Sequence, residues 1–253
     1  MSNSLLLCLA AFLAGMVDAI GGGGGLIQVP ALFSFVPGAP PATLFGTNKL
    51  AGIWGTGMAA VRYSSEVKLE WSTAAPSAAA AFLFAFIGAF AVTHVPGEWI
   101  RKGLPFVLVA IAVHTMRAKN FGLDHAPTLR GRKEKLLALV TGSAIGFYDG
   151  FFGPGTGSFL IFLFVRFFGF DFLRASVTAK LVNVACNGAA LLWFIYSGHV
   201  MWAIGLFMAG CNAAGSVAGA RLAIKRGSAF VRKIFLIVVC LLIAKTGYQA
   251  LFT

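Results

Sequence analysis

Charge is what this chain of 253 residues has least of: Asp, Glu, Lys and Arg together make up 11% of it, and only 8 residues are acidic. A water-soluble globule of this length needs far more polar surface, so that class is excluded. Strict apolar–polar alternation is also missing, which excludes a membrane β-barrel. The four cysteines (Cys8, Cys186, Cys211, Cys240) are widely spaced, lie in apolar stretches and form no C-x-x-C. They read as small buried hydrophobes. His94, His114, His125 and His199 have no metal-ligand spacing, so no metal is expected. No Gly-Lys-Ser/Thr follows the glycine runs, so there is no phosphate loop and no nucleotide or other cofactor is implied. The first apolar run has no basic stretch before it and leads straight into further apolar segments, unlike a signal peptide. The longest polar stretch, 117–135, has the length of a linker rather than of a soluble domain.

What the chain does have is hydrophobic length. Hydrophobic residues are 58% of it and the mean hydropathy is +0.85. Apolar segments recur at 3–20, 42–61, 72–95, 103–116, 173–196, 200–223 and 231–252. Most approach or exceed the roughly 20 residues that cross a bilayer as a helix. Backbone groups in hydrocarbon must be satisfied within the segment, which makes the helix the default spanning element. The expected fold is therefore an all-α polytopic transmembrane bundle with the lipid bilayer as solvent. The net charge of +12 does not point to nucleic acid, because the basic residues sit in the short connections between apolar segments. That is where the positive-inside bias and anionic headgroups place them. Trp54, Trp71, Trp99, Trp193 and Trp202 mostly fit an aromatic belt at helix ends.

The chain also matches itself at an offset of 131 residues: Lys49-Leu50 falls on Lys180-Leu181, Trp71 on Trp202, Arg101-Lys102 on Arg232-Lys233, and Asp18 on Asp149. Gly21, Gly23 and Gly25 match Gly153, Gly155 and Gly157 with one residue of slippage. This predicts a first repeat at 1–116, a basic linker at 117–134 and a second repeat at 135–253. Each repeat reads as a helix (3–20 or 135–151), a glycine break, a short apolar segment (26–36 or 158–168) and three further helices. The short segments are about half a span. Such broken backbone survives in a membrane only where protein or a polar cavity surrounds it.

Basic residues set the topology. If each helix–break–short-helix unit enters and leaves on one face, three crossings follow in each half and the second half is inverted. With the linker in the cytoplasm, fifteen of the 20 basic residues then fall inside, among them Arg62, Lys68, Arg166, Arg174 and the cluster from Arg221 to Lys233. A non-inverted repeat strands part of that cluster outside. The positive-inside rule therefore predicts tandem repeats of inverted topology with Gly-broken helices, and both chain ends outside.

Two lysines draw attention to a site. Lys49 and Lys180 lie deep in apolar segments, where a charge costs at least about 2.5–3.5 kcal/mol on insertion scales. A structural pairing with an embedded acid is one account. A shared central anion site is the other, favoured by the symmetry and by polar neighbours: Thr47 and Asn48 in one half, Asn183 and Asn187 in the other. Each glycine run precedes a short helix whose N–H groups and positive dipole end suit an anion. That brings in Gly23, Gly25, Gly155, Gly157 and Ser158 as substrate-binding candidates. Close helix packing through small residues is the competing account of the glycines. Asp18 and Asp149, just before the breaks, could pair with the lysines, carry a coupling proton or cap backbone N–H groups.

The runs GGGGGLIQVPAL, GTNKL, GFYDGFFGPGTGSF and AKLVNVACN resemble the TauE/SafE sulfite-exporter family over nearly the whole chain. The resemblance implies an inner-membrane, multi-pass permease for small sulfur-containing anions such as sulfite, sulfonates or sulfoacetate. Gly52 stands where the repeat would match Asn183, so an asymmetric site is expected. The leading expectation is a secondary transporter of a small anion, with Lys49 and Lys180 supplying positive charge and one half rocking against the other. A cation or metal-ion permease is the alternative, kept open by Asp18 and Asp149 and opposed by the lysines. An intramembrane enzyme lacks a nucleophile–base arrangement. A scaffold role and a homo-oligomer stay open.

Overall fold

The computed structural model describes residues 3–100, 125–127 and 129–252, with side chains of the last helix described up to Val231 and at Lys233. The expected helix over 103–116 and much of the linker, with Arg101, Lys102, Arg117 and Lys119, lie outside the described residues.

Every regular element among the described residues is a helix. In chain order they are α1 (Asn3–Gly21), α2 (Gly25–Phe35), α3 (Pro41–Ser64), α4 (Trp71–Thr93), α5 (Gly131–Phe151), α6 (Thr156–Phe168), α7 (Phe172–Tyr196) and α8 (Trp202–Phe252). Local chemistry fixes their ends. α3 starts on proline, whose missing N–H costs nothing in a first turn. At the start of α7 the Asp171 carboxylate accepts from the N–H groups of Leu173 (2.9 Å) and Arg174 (3.0 Å), a side-chain cap. α5 begins at Gly131, inside the segment read as linker. Its first-turn Glu134 accepts from Ser72 Oγ (2.5 Å) and Thr73 Oγ1 (2.6 Å) of α4. The two helices expected at 200–223 and 231–252 are continuous except at Gly227, where φ 75° and ψ −177° interrupt one long element.

Among the described residues four stretches are long and apolar enough to cross a bilayer: Ser4–Gly21, Trp71–Thr93, Phe172–Tyr196 and Trp202–Val231. Large apolar side chains face outward on them, such as Phe82, Ile87 and Phe90 of α4 and Phe207 of α8, while Asp18, Lys49, Asp149 and Lys180 are buried. This polar-in, apolar-out arrangement suits a lipid solvent.

Two seams of small residues hold the bundle. Along α4 and α5, Ser77, Ala81 and Ala85 face Gly142, Gly146 and Gly150, with backbones so close that a Cβ on those glycines would lie 2.2, 2.5 and 2.0 Å from the facing carbonyl oxygens. Along α1 and α8, Phe12 faces Gly215 and Met16 faces Gly219 in the same manner. Without a hydrophobic force between helices in lipid, such close approach supplies the packing energy. In both seams residue numbers rise together, so each pair of helices is parallel.

One end of the bundle collects the polar loops. Glu70 accepts from Arg174 Nη1 (3.3 Å), His125 stands 3.9 Å from both Glu70 and Asp171, and Ser228 Oγ donates to Asp171 (3.2 Å). Lys68, Arg166, Lys225 and Arg226 flank these residues in the chain. α4 and α5 both leave from this end, whereas α8, and therefore its parallel partner α1, run toward it. α1 and α5 thus approach the interior from opposite ends.

Candidate functional site

The glycine breaks that follow those two helices meet. Gly22 turns out of α1 with φ 76°, in the left-handed region that favours glycine. Ser158 of α6 donates its N–H to Gly22 O (2.9 Å) and its hydroxyl to Gly21 O (2.8 Å). A Cβ on Gly22 would lie 2.2 Å from the carbonyl carbon of Gly157, so only glycine permits the approach. On the other side Gly155, φ 81°, starts α6. The first residues of both short helices therefore arrive together, and the long helices α3 and α7 cross beside them.

Each crossing helix carries its lysine to the acid of the opposite half. Lys49 Nζ of α3 donates to Asp149 Oδ2 of α5, with both side chains 2% exposed. Lys180 Nζ of α7 donates to the Asp18 backbone carbonyl and, at 3.1 Å, to its Oδ2. Asp18 also accepts at 3.4 Å from Gly24 N and from Thr56 Oγ1. Pairing with an embedded acid was one of the two accounts the sequence left open for these lysines. Here each lysine has a carboxylate, and the four charges cancel. Burial is the cause: an unpaired ion at such a position costs several kcal/mol, and the pairing offsets it.

Beside these pairs lies a cavity of about 40 Å³, measured as the room open to the centre of a water molecule. A single water needs roughly 10–15 Å³ on that measure, so the space suits a compact ion of a few heavy atoms. Lys49 is the one base on its wall among the described residues, with Asp18 and Asp149 the acids. Gly25 at the start of α2 and Gly155, Thr156 and Gly157 at the start of α6 also line it, placing two positive helix ends at the cavity.

Of the residues singled out from sequence, Asn48, Asn183 and Asn187 line the cavity with Lys49. Asn187 Nδ2 donates to Asn183 Oδ1 at 3.0 Å. Lys180, Thr47, Ser158 and Gly23 lie off its wall. Lys180 is fully buried behind Asp18. The Thr47 hydroxyl donates to Thr43 O (2.7 Å) and accepts from Met201 N (3.0 Å). Ser158 is spent on the glycine junction. Gln28, Thr56 and Asn212 line the wall without having been singled out. Gln28 Oε1 accepts from Asn212 Nδ2 (2.7 Å), and Gln28 Nε2 donates to Asn48 O (3.3 Å). Gly55 makes room for this link, since a Cβ there would lie 1.8 Å from Asn212 Oδ1. For Gln28 and Asn212 the signal was available: a lone amide in an otherwise apolar segment.

A multi-pass helical bundle whose broken helices meet at a buried, charged, amide-rich cavity has the build of a membrane transporter. The chain belongs to the sulfite exporter TauE/SafE family, whose model matches residues 7–246. It is 37% identical over 233 residues to the probable membrane transporter protein ORF9 of Sinorhizobium sp, covering 92% of this chain and 87% of that one. It is 34% identical over 247 residues to the probable membrane transporter protein YfcA of Escherichia coli K12, covering 97% and 90%. A probable membrane transporter protein of Haemophilus influenzae is 31% identical over 250 residues, covering 97% and 94%. No solved structure matches the chain. The protein is a multi-pass membrane transporter of the TauE/SafE type and not an enzyme.

Proposed function

We propose that the protein is a secondary transporter, in the cell inner membrane, of small sulfur-containing oxyanions such as sulfite or an organosulfonate, bound in the cavity beside Lys49. The observation that carries this reading is the combination on one wall: one lysine ammonium, amide donors from Asn48, Asn183, Asn187, Gln28 and Asn212, and the starts of two helices. Charge-assisted hydrogen bonds to an oxyanion are worth about 1.5–3 kcal/mol each, so three or four would hold a small anion. Lys180 takes a positioning role, fixing Asp18 and the end of α1. A cation permease would need bare carboxylates. Asp18 and Asp149 reach the wall, yet each is already matched by an ammonium.

The two halves, 1–116 and 135–253 about the linker 117–134, are proposed to be inverted repeats. In support, the pair Lys49–Asp149 is the pair Lys180–Asp18 with the halves exchanged. The meeting of Gly88 with Phe147 and that of Gly219 with Met16 are related in the same way. The opposite courses of α1 and α5 agree. Rocking of one half against the other would open the cavity alternately to each face.

The test is a melting-temperature screen of the purified protein against sulfite, sulfate, methanesulfonate, sulfoacetate and simple carboxylates, with divalent cations as the competing set. Sulfur oxyanions are expected to raise the melting temperature in proportion to the logarithm of concentration over affinity. Stabilisation by divalent cations alone would refute the anion assignment.

A further inference from the structure

The cavity is electrically balanced before anything enters it. An anion that binds Lys49 must draw that ammonium away from Asp149 or share it. Asp149 is buried. The titratable groups around it are Lys49 from α3, Cys186 from α7 and its own neighbour Tyr148, whose hydroxyl is committed to Pro154 O at 2.5 Å. α4, packed along the other side of α5, presents Ala81, Ala85 and Gly88 there. No second base pairs with Asp149 among the described residues. A buried carboxylate that loses its counter-ion is relieved by a proton.

We propose that the protein moves its anion together with one proton carried on Asp149. This rests on the anion-carrier reading above and adds the coupling ion to it. As the oxyanion accepts from the Lys49 ammonium, Asp149 Oδ2 takes up one proton from the compartment that supplies the anion. On release the proton leaves and the ammonium returns to the carboxylate. Lysine stays an ammonium throughout. One negative and one positive charge travel the same way, so carriage of a monovalent anion is electroneutral.

Two features favour a proton, and favour Asp149 over Asp18. A metal cation beside Asp149 would need several oxygen ligands while the Lys49 ammonium still stands at the same carboxylate, whereas a proton needs no ligands of its own. Asp18 is not stripped when Lys49 is engaged, because Lys180, Gly24 N and Thr56 continue to donate to it.

The experiment uses full-length protein in proteoliposomes and labelled methanesulfonate. This anion is ionised across the working pH range, so its own titration cannot mimic coupling. Potassium and valinomycin set the membrane potential, and an entrapped dye reads internal pH. With the exterior acid by one unit, the label should accumulate up to about tenfold, the limit for one proton per anion. The interior should acidify with it, and a change of clamped potential should leave the initial rate unaltered. Asp149→Glu should keep the pH-driven accumulation and Asp149→Asn should lose it. Accumulation driven by potential or by a sodium gradient, and blind to pH, would overturn the proton assignment while leaving the carrier intact. So would pH-driven accumulation in Asp149→Asn equal to the parent's. An absence of any methanesulfonate exchange in the parent protein would take down the carrier reading and the coupling together.

Discussion

Lys49 of α3 and Asp149 at the end of α5 form a buried ion pair on the cavity wall, although 100 residues separate them in the chain. The pair joins a crossing helix to a broken one, and it does so across the two halves. Lys180 and Asp18 repeat the arrangement from the other direction. Each lysine finds its acid only in a distant segment of the chain, so the site assembles only when those segments pack together.

This makes a stability prediction that separates pairing from ligand binding. Lys49→Met leaves Asp149 buried and bare, and should destabilise the protein by about 3–5 kcal/mol. Adding Asp149→Leu removes the orphaned charge and should restore most of that loss, because apolar replacements of buried pairs are often neutral. Neither variant should take up anion. Unfolding in detergent measures the first effect and proteoliposome flux the second. Equal stability of the single and double variants would mean that the pair is not energetically coupled.

Much of this arrangement was legible in the chain because it rests on local chemistry. Long apolar runs announced α1, α3, α4 and α7, and the glycine runs announced the breaks before α2 and α6. Lys49 and Asp149 stood out because charge in such segments demands an explanation. What was not legible depends on distant partners. The sequence allowed Asp18 to pair with a lysine, but nothing near it says that the partner is Lys180, 162 residues away. The Gln28–Asn212 link spans 184 residues. Thr47 was assigned to the site because it adjoins Asn48 and Lys49. A helical hydroxyl readily turns to the carbonyl four residues back instead, here that of Thr43. The gap expected between the helices at 200–223 and 231–252 reduces to Gly227, since a single residue suffices for the interruption.

The contrast between Thr47 and Gln28 can be measured. Gln28→Ala removes a cavity amide and the acceptor that orients Asn212, so anion affinity should fall about tenfold to a hundredfold, the range for one or two hydrogen bonds to a charged group. Thr47→Val should leave affinity within about twofold and cost about 1 kcal/mol of stability, the ordinary net value of the bonds its hydroxyl makes to Thr43 and Met201. Titrating the melting temperature with methanesulfonate reads both quantities, since the unliganded value reports stability and the slope with concentration reports binding. A Thr47→Val variant that binds as poorly as Gln28→Ala would return Thr47 to the wall.

The glycine junction is the most demanding point of the fold. At Gly22 an added methyl would meet the carbonyl carbon of Gly157 at 2.2 Å and the nitrogen of Ser158 at 2.5 Å, and the backbone φ of 76° already disfavours any other residue. Neither obstacle is a flexible side chain, so relief requires the two broken ends to separate. That costs the hydrogen bonds from Ser158 to Gly21 and Gly22 and pulls the starts of α2 and α6 away from the cavity. Strain of about 1–3 kcal/mol for the backbone and a similar sum for overpacking set the expected loss. Gly38→Ala is the matched control, because nothing lies within 4 Å of its would-be Cβ and its φ is not positive. It should be neutral or slightly stabilising. If Gly22→Ala melts at the parent temperature and still binds anion, the two helix ends do not need to touch to form the site.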